Sequence, residues 1–285
     1  MIGINFPVEC RIIIKNSDKN YKVSFITLMS VSGIIRRVCW VSGLYLGVPQ
    51  ILYKLSRRDV VLMYHSVEIT DSGYEYAVTA EGLSQQISIL KKYFHIVPLH
   101  EILLPKTGAR RAALTFDDAF ADFHDVAFPV LREKKVHATM FVPTTFIETE
   151  TTMLDGTPHL SWKQMRRMQD SGLVDIQSHG HSHQHIRTMS IKELRGDIMK
   201  SKNIIESHLD TTADLFAYPG GKFLDWQHAT ILNLGFKAVF TSVKKTIGNS
   251  RMVLPRIAIT RNCTRAHFLA EVSGMWEVVY GKSRR

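Results

Sequence analysis

Apolar residues along this chain gather in short blocks separated by amphipathic stretches. The blocks are Val60–His65, His95–Leu99, Ala112–Asp117, Ala138–Val142, Val174–Ser178, Leu215–Pro219, Ala238–Thr241 and Leu254–Ile259. Several are apolar at nearly every position, as expected of strands buried on both faces. The stretches between them carry helical signals. Thr79–Phe94 sets Leu83, Ile87, Leu90 and Phe94 on one face behind Thr79 as N-cap. Ser190-x-x-Glu193 is a capping box that opens a helix reaching to around Leu209. Ser161 and Thr264 are further caps, and Ala119–Lys134 reads as helical. About seven or eight strand–helix units predict an α/β fold, a (β/α) barrel of seven or eight strands that need not close completely. A doubly wound open sheet is the structural alternative.

The first 58 residues do not follow this rhythm. Val23–Ile35 is apolar, Arg36-Arg37 interrupts it, and Val38–Leu55 is apolar again. Neither run reaches the ~20 residues that span a bilayer. An uncleaved signal anchor, an interfacial helix and a soluble extension all fit, and Met29 is an alternative start. Charge sharpens the picture. The formal net charge is +10, and residues 1–60 carry nine Lys/Arg against three acids, while Lys282, Arg284 and Arg285 add three more cations. The body between is nearly neutral, which argues against an extended nucleic-acid-binding face. Basic ends beside apolar sequence fit a membrane surface better. The expected organisation is therefore a basic apolar extension over 1–58 and a catalytic domain over 59–280, membrane-associated in the cell envelope. The three cysteines are widely spaced and offer no disulfide framework or CxxC zinc pattern.

Four unusual clusters fall where strands end, the place where parallel α/β folds collect functional groups. Leu114–Asp118 closes an apolar strand with two adjacent carboxylates, which strand alternation sends in different directions. One is then free to bind a cation while the other serves as a general base; capping of the following helix is the plainer explanation. Ser178–His185 holds four of the thirteen histidines. Imidazoles with a carboxylate make a common divalent-metal site with open positions, and His179 and His183 face one side if the segment is a helical turn. Val61–His65 ends a strand in a histidine, more often a structural residue than a functional one. Phe216–Gly221 breaks into a Pro219-Gly220-Gly221 turn that lets backbone approach a ligand.

Together these residues resemble the NodB-type polysaccharide deacetylases, carbohydrate esterase family four. Thr115-Phe116-Asp117-Asp118 matches that family's Thr-Phe-Asp-Asp motif, His179–His183 its His-x-x-x-His motif, and Phe216–Gly221 resembles its third, proline-containing motif. The likeness covers roughly Asp59 to Gly274. It implies that Asp118, His179 and His183 bind a divalent metal, zinc first among zinc, cobalt, nickel, iron and manganese, and that Asp117 is the general base. The family's general-acid histidine lies in a Leu-x-x-His motif, matched here by Leu62-Met63-Tyr64-His65 at the N-terminal end of the domain. That placement is similar to the permuted branch of the family. Where the third motif usually carries an arginine, this chain has Ala217, and Arg256 is the candidate replacement.

The reaction so implied is hydrolytic removal of N-acetyl groups from N-acetylhexosamine units of a polysaccharide or oligosaccharide. Asp117 would take a proton from water, His65 would protonate the departing amine, and a backbone N–H near Tyr218–Gly221 would stabilise the oxyanion. Trp162, Tyr218, Phe223 and Trp226 are candidate sugar-stacking surfaces, with Pro219 and Gly220 contributing backbone. Rival readings are a deformylase or O-deacetylase acting on a lipid-linked sugar, and a non-catalytic carbohydrate-binding barrel. Asp117 argues against the last, since metal binding alone needs only Asp118 and the histidines.

Overall fold

The computed structural model describes residues 58–68, 73–105, 108–152, 156–221, 223–248 and 250–280. Its strands are β1 (Val60–Tyr64), β2 (Ser66–Glu68), β3 (Ala77–Thr79), β4 (His95–Ile96), β5 (Arg111–Asp117), β6 (Ala138–Val142), β7 (Val174–Ser178), β8 (Leu215–Ala217), β9 (Ala238–Thr241), β10 (Val253–Pro255) and β11 (Ile257–Ala258). The main sheet runs β10-β9-β8-β7-β6-β5-β1-β11, every pair parallel, with β4 hung on the start of β5. Only Arg256 separates β10 from β11. Their common run pairs β9 through its first half (Leu254 with Phe240) and β1 through its second (Ile257 with Leu62). The ladder therefore passes round a ring of seven strands, splayed at Arg256, and the open-sheet alternative does not hold. A thin seam lies between β7 and β8, joined at one residue pair, Ser178 with Phe216.

Strand alternation builds two layers of core. Leu62, Tyr64, Leu114, Phe116, Met140 and Ile176 face outward, in one cluster with Leu83, Leu90, Leu131 and Met165 from the surrounding helices. Val61, Ala113, Phe141, Leu215, Ala217, Phe240 and Leu254 fill the interior, which Leu99 and Ile102 close at the N-terminal floor. Each fully buried Val, Leu, Ile, Phe or Met side chain among them contributes roughly 1.5–3 kcal/mol. The inward rows matter most for function. Val61 and Met63 lead to His65, Ala113 and Thr115 to Asp117, Gln177 to His179, and Leu254 to Arg256. Period-two spacing thus delivers four polar side chains to one mouth.

The helix caps are as the sequence suggests. Thr79 Oγ1 accepts the Gly82 amide at 3.0 Å, Ser161 and Ser190 form capping boxes, and Thr264 caps Arg265–Ser273. Other expectations need correction. His95–Leu99 supplies a strand of two residues outside the ring, because Pro98 opens the helix Leu99–Leu103. Leu254–Ile259 is two half-strands divided at Arg256. No helix begins at Ala119: Asp118 and Ala119 have φ of 72° and 53°, and a π-turn at Phe123–Ala127 precedes the α-helix Phe128–Lys134.

Of the extension expected over 1–58, all but Arg58 lies outside the described residues; the Arg58 guanidinium pairs with Glu277 at 2.7 Å. Among the described residues no helix is long and apolar enough to cross a membrane.

Candidate active site

Asp118, His179 and His183 each offer one ligand atom, and these atoms all lie within 4.8 Å of one another. Asp118 Oδ1 sits 3.5 Å from His179 Nε2 and 3.1 Å from His183 Nε2. Neither approach is in line for a hydrogen bond, so a buried carboxylate oxygen is left without a hydrogen-bond partner. Buried polar atoms rarely stay unpaired. Three donor atoms converging without bonding each other is the geometry of ligands aimed at a common cation. His179 Nδ1–H donates to the Ala217 carbonyl at 2.9 Å, which reserves Nε2 as the lone-pair donor. Burial pulls the His179 imidazole down to about 4, outweighing the carboxylates beside it, so it is neutral and ligand-ready at neutral pH. Two imidazole nitrogens and one carboxylate oxygen are a donor set that fits zinc and similar divalent ions and leaves positions open.

The backbone brings this about differently from the simple pattern. Alternation predicts that Asp117 and Asp118 diverge, yet His179 Nε2 is 3.9 Å from Asp117 Oδ2 and 3.5 Å from Asp118 Oδ1. The left-handed turn at Asp118 swings its side chain back to the mouth. His159 steadies that turn: its Nδ1–H donates to the Asp118 carbonyl at 2.8 Å, and its ring is stacked on Phe120 and Phe146. Nor is His179–His183 a helical turn. The segment is a loop with φ of +80° at Gly180 and +55° at His183, and the two imidazole centroids stand 5.1 Å apart.

Asp117 is held by Arg256 in a two-pronged bond, Nη1 to Oδ1 and Nη2 to Oδ2, both 2.7 Å. The guanidinium is fully buried, lies over the Phe141 ring at 5.3 Å, and also donates to Thr115 Oγ1 at 3.1 Å. It reaches the carboxylate from the splay between β10 and β11. Burial pushes the Asp117 carboxyl up, but the Arg256 guanidinium bonded to it outweighs burial and holds it below the ordinary range. Burial likewise opposes ionisation of Asp118, and the imidazoles of His183 and His65 outweigh it. Both carboxylates are therefore ionised at neutral pH. His65 comes to the same place from the end of β1, with Nε2 4.0 Å from Asp118 Oδ2 and its ring against Tyr76 at 5.0 Å.

The matching sequence profile is that described as polysaccharide deacetylase, over residues 105–239. A poly-beta-1,6-N-acetyl-D-glucosamine N-deacetylase of Staphylococcus epidermidis is 28% identical over 239 residues, covering 78% of this chain and 80% of that protein. Over residues 105–239 the chain resembles the polysaccharide deacetylase family. Another relative, the enzyme of the same description from Staphylococcus aureus, is 24% identical over 200 residues, 65% of this chain and 68% of that one. Among solved structures, IcaB from Ammonifex degensii superposes with a TM-score of 0.68 at 22% identity, over 76% of this chain and 98% of that one. The Streptococcus pyogenes deacetylase PplD, solved with acetate, gives 0.67 at 24%, over 75% and 98%. These neighbours share the barrel fold.

The remaining candidates are placed less favourably. The Tyr218 ring is buried in the outer layer beside Phe216 and Phe223, its hydroxyl against His228 Nδ1 at 2.8 Å, so it shows no face to a ligand at the mouth. The expected oxyanion donor is also committed in part: the Tyr218 amide donates to Phe240 and that of Gly221 to Tyr218 itself. Pro219 is buried, and Gly220, at φ +60°, lies under the His185 ring, where a Cβ would come within 2.8 Å. Trp162 stacks on His208 at 4.4 Å and donates from Nε1 to Glu148, with no contact to the cluster. Phe223 packs on Tyr218 and His228, while Trp226 is 39% exposed. Sequence reasoning missed Tyr74 and Tyr76, which meet Phe120 and His65 at the mouth from a segment without period or motif. It missed His159 as well, whose only signal is its place directly before Leu160-Ser161-Trp162.

Proposed function

We propose that this deacetylase hydrolyses the N-acetyl groups of a poly-N-acetylglucosamine-type polymer of the cell envelope, using a divalent cation, zinc by preference, held by Asp118, His179 and His183. The observation that carries this reading is the buried Asp117 carboxylate. It is clamped by Arg256 and faces the same imidazole as the metal-type cluster, an arrangement that metal binding alone does not require. The curated relatives named for N-deacetylation of poly-β-1,6-N-acetylglucosamine support the polymer class.

A cation bound there supplies positive charge that polarises an amide carbonyl and acidifies water. Asp117, ionised and fixed by its two bonds to Arg256, accepts the proton of the attacking water. Both carboxylate oxygens are occupied, so Arg256 fixes the carboxylate plane while the outer lone pairs stay open to the mouth. As the carbon–nitrogen bond breaks, His65 gives its proton to the departing amine. Acetate and a free amino sugar result. The basic apolar N-terminal sequence supports work at a membrane surface.

The test is acetate release from N-acetylglucosamine oligomers by metal-reconstituted protein. Asp117→Asn should lower turnover about 10²- to 10⁴-fold with metal content retained, and chelation should abolish release in the parent. No release from oligomers, but release from a lipid-linked sugar, would move the activity to that substrate. Stoichiometric metal with no hydrolysis of either would leave a carbohydrate-binding barrel.

A further inference from the structure

The loop that carries His179 and His183 is held from outside by groups that take no part in the chemistry. The helix Ile191–Leu209 runs behind it. Asp197, midway along that helix, accepts the His181 amide on Oδ2 at 2.9 Å and the Ser182 amide on Oδ1 at 2.8 Å. One turn further, Ser201 accepts the Ser178 hydroxyl at 2.9 Å, and Ser178 Oγ in turn accepts the Gly180 amide at 3.2 Å. Three successive N–H groups of the loop are thus drawn toward one helix face. On the other side, the Gly180 and His181 carbonyls accept the Thr144 and Thr145 amides at 3.2 and 2.9 Å. Thr144 Oγ1 meets His181 Nδ1 at 2.9 Å.

Successive amides turned toward one anion form a concave nest, which needs a residue in the left-handed region. Gly180 occupies that position at φ +80°, and a Cβ there would lie 2.9 Å from Asp197 Oδ2. The glycine is therefore fitted to the carboxylate. Charge-assisted bonds to backbone N–H are among the stronger hydrogen bonds of proteins. The two donors flank the residue between the ligands, so a rotation of this turn would carry His179 Nε2 and His183 Nε2 apart.

We propose that Asp197 is a positioning residue for the metal centre: its carboxylate, by capturing the His181 and Ser182 amides, holds the loop in the one conformation that aims both imidazoles at Asp118. This rests on the reading of Asp118, His179 and His183 as ligands. Asp197 sets how tightly and in what geometry the cation is held, whereas the fold has its own support in the barrel core.

The experiment measures zinc affinity by chelator competition and the visible spectrum of the cobalt(II)-loaded protein, with thermal melting of the metal-free form alongside. Asp197→Asn keeps the side-chain volume but places an NH2 donor against an amide donor. It should weaken zinc binding about 10- to 100-fold and alter the cobalt bands, with metal-free melting close to the parent. Ser201→Ala, which removes the other strut, should weaken binding by a smaller factor in the same direction and provides the reading if the asparagine variant does not fold. Unchanged affinity and an unchanged spectrum in the folded variants would overturn the proposal. So would an affinity loss that merely tracks a lowered melting temperature. Failure of the parent itself to bind zinc or cobalt would instead remove the ligand assignment on which the proposal stands.

Discussion

The two ends of the barrel gather the same residue types and treat them in opposite ways. At the floor, where strands begin, His100 Nε2–H donates to Asp214 at 2.9 Å and His100 Nδ1 is 3.7 Å from Asp175. His137 stands 3.5 Å from Asp175, and Lys237 pairs with Asp214 at 2.7 Å. The Asp175 and Asp214 carboxylates beside His100 outweigh burial and raise its imidazole to about 9. At the mouth, burial lowers His179 to about 4, and a carboxylate oxygen is left facing imidazole nitrogens with which it forms no bond. Histidines and aspartates in proximity are therefore not informative alone. Where opposite charges satisfy each other the cluster is structural, and where they converge unsatisfied the cluster awaits a ligand.

The sharpest way to break this contrast is Asp118→Asn. Metal affinity should fall by about 100-fold or more, and acetate release with it. The metal-free protein should stay folded, because the fold has its own support in the barrel core, so that the loss is read in metal binding rather than in folding. A metal-free variant that is clearly less stable while still binding metal would show that the mouth cluster is structural after all.

Next in size is Arg256→Met, which leaves the Asp117 carboxylate buried without its cation. Breaking one side of a buried pair costs roughly 3–5 kcal/mol, readable by urea unfolding. Arg256 holds the Asp117 carboxyl down, so its removal should raise that pKa and move the acid limb of kcat/KM to higher pH. An acid limb that stays in place would separate Arg256 from the base.

The smallest effect belongs to the floor. Because the folded His100 imidazole is raised to about 9 from an ordinary 6.5, its stabilisation is complete below about pH 6.5 and is lost as pH rises through 9. The parent should thus lose more stability between pH 6 and pH 10 than His100→Gln does, with acetate release per folded molecule equal in both. Parallel stability profiles for parent and variant would remove His100 from the pairing.

Much of this was legible beforehand because strand alternation and strand ends follow simple rules. The inward rows ending at His65, Asp117 and His179 can be read by counting in twos from the apolar blocks, and the motifs then give the chemistry. Two things were hidden for physical reasons. Whether Asp118 joins Asp117 depends on a left-handed residue, which a non-glycine side chain does not advertise. Contacts between distant elements, such as Asp197 with the His181 amide or Tyr76 with His65, leave no local period to read. Tyr218 misled because an aromatic at a strand end looks the same whether it faces the mouth or the outer helices.

The splay at Arg256 also bears on how the molecule assembles. Arg256, which clamps the Asp117 carboxylate, lies 139 positions after it in the chain, on the run that closes the ring. Contacts of such long range carry a high loop-closure cost and tend to form late. Until β10 and β11 insert between β9 and β1, Asp117 lacks its guanidinium and the inner ring is open. Catalytic competence would accordingly arrive with the final closure step. A chain interrupted before Arg256, or one that had docked only part of its sheet, could gather Asp118, His179 and His183 and still lack the Asp117–Arg256 pair on which the proposed reaction depends.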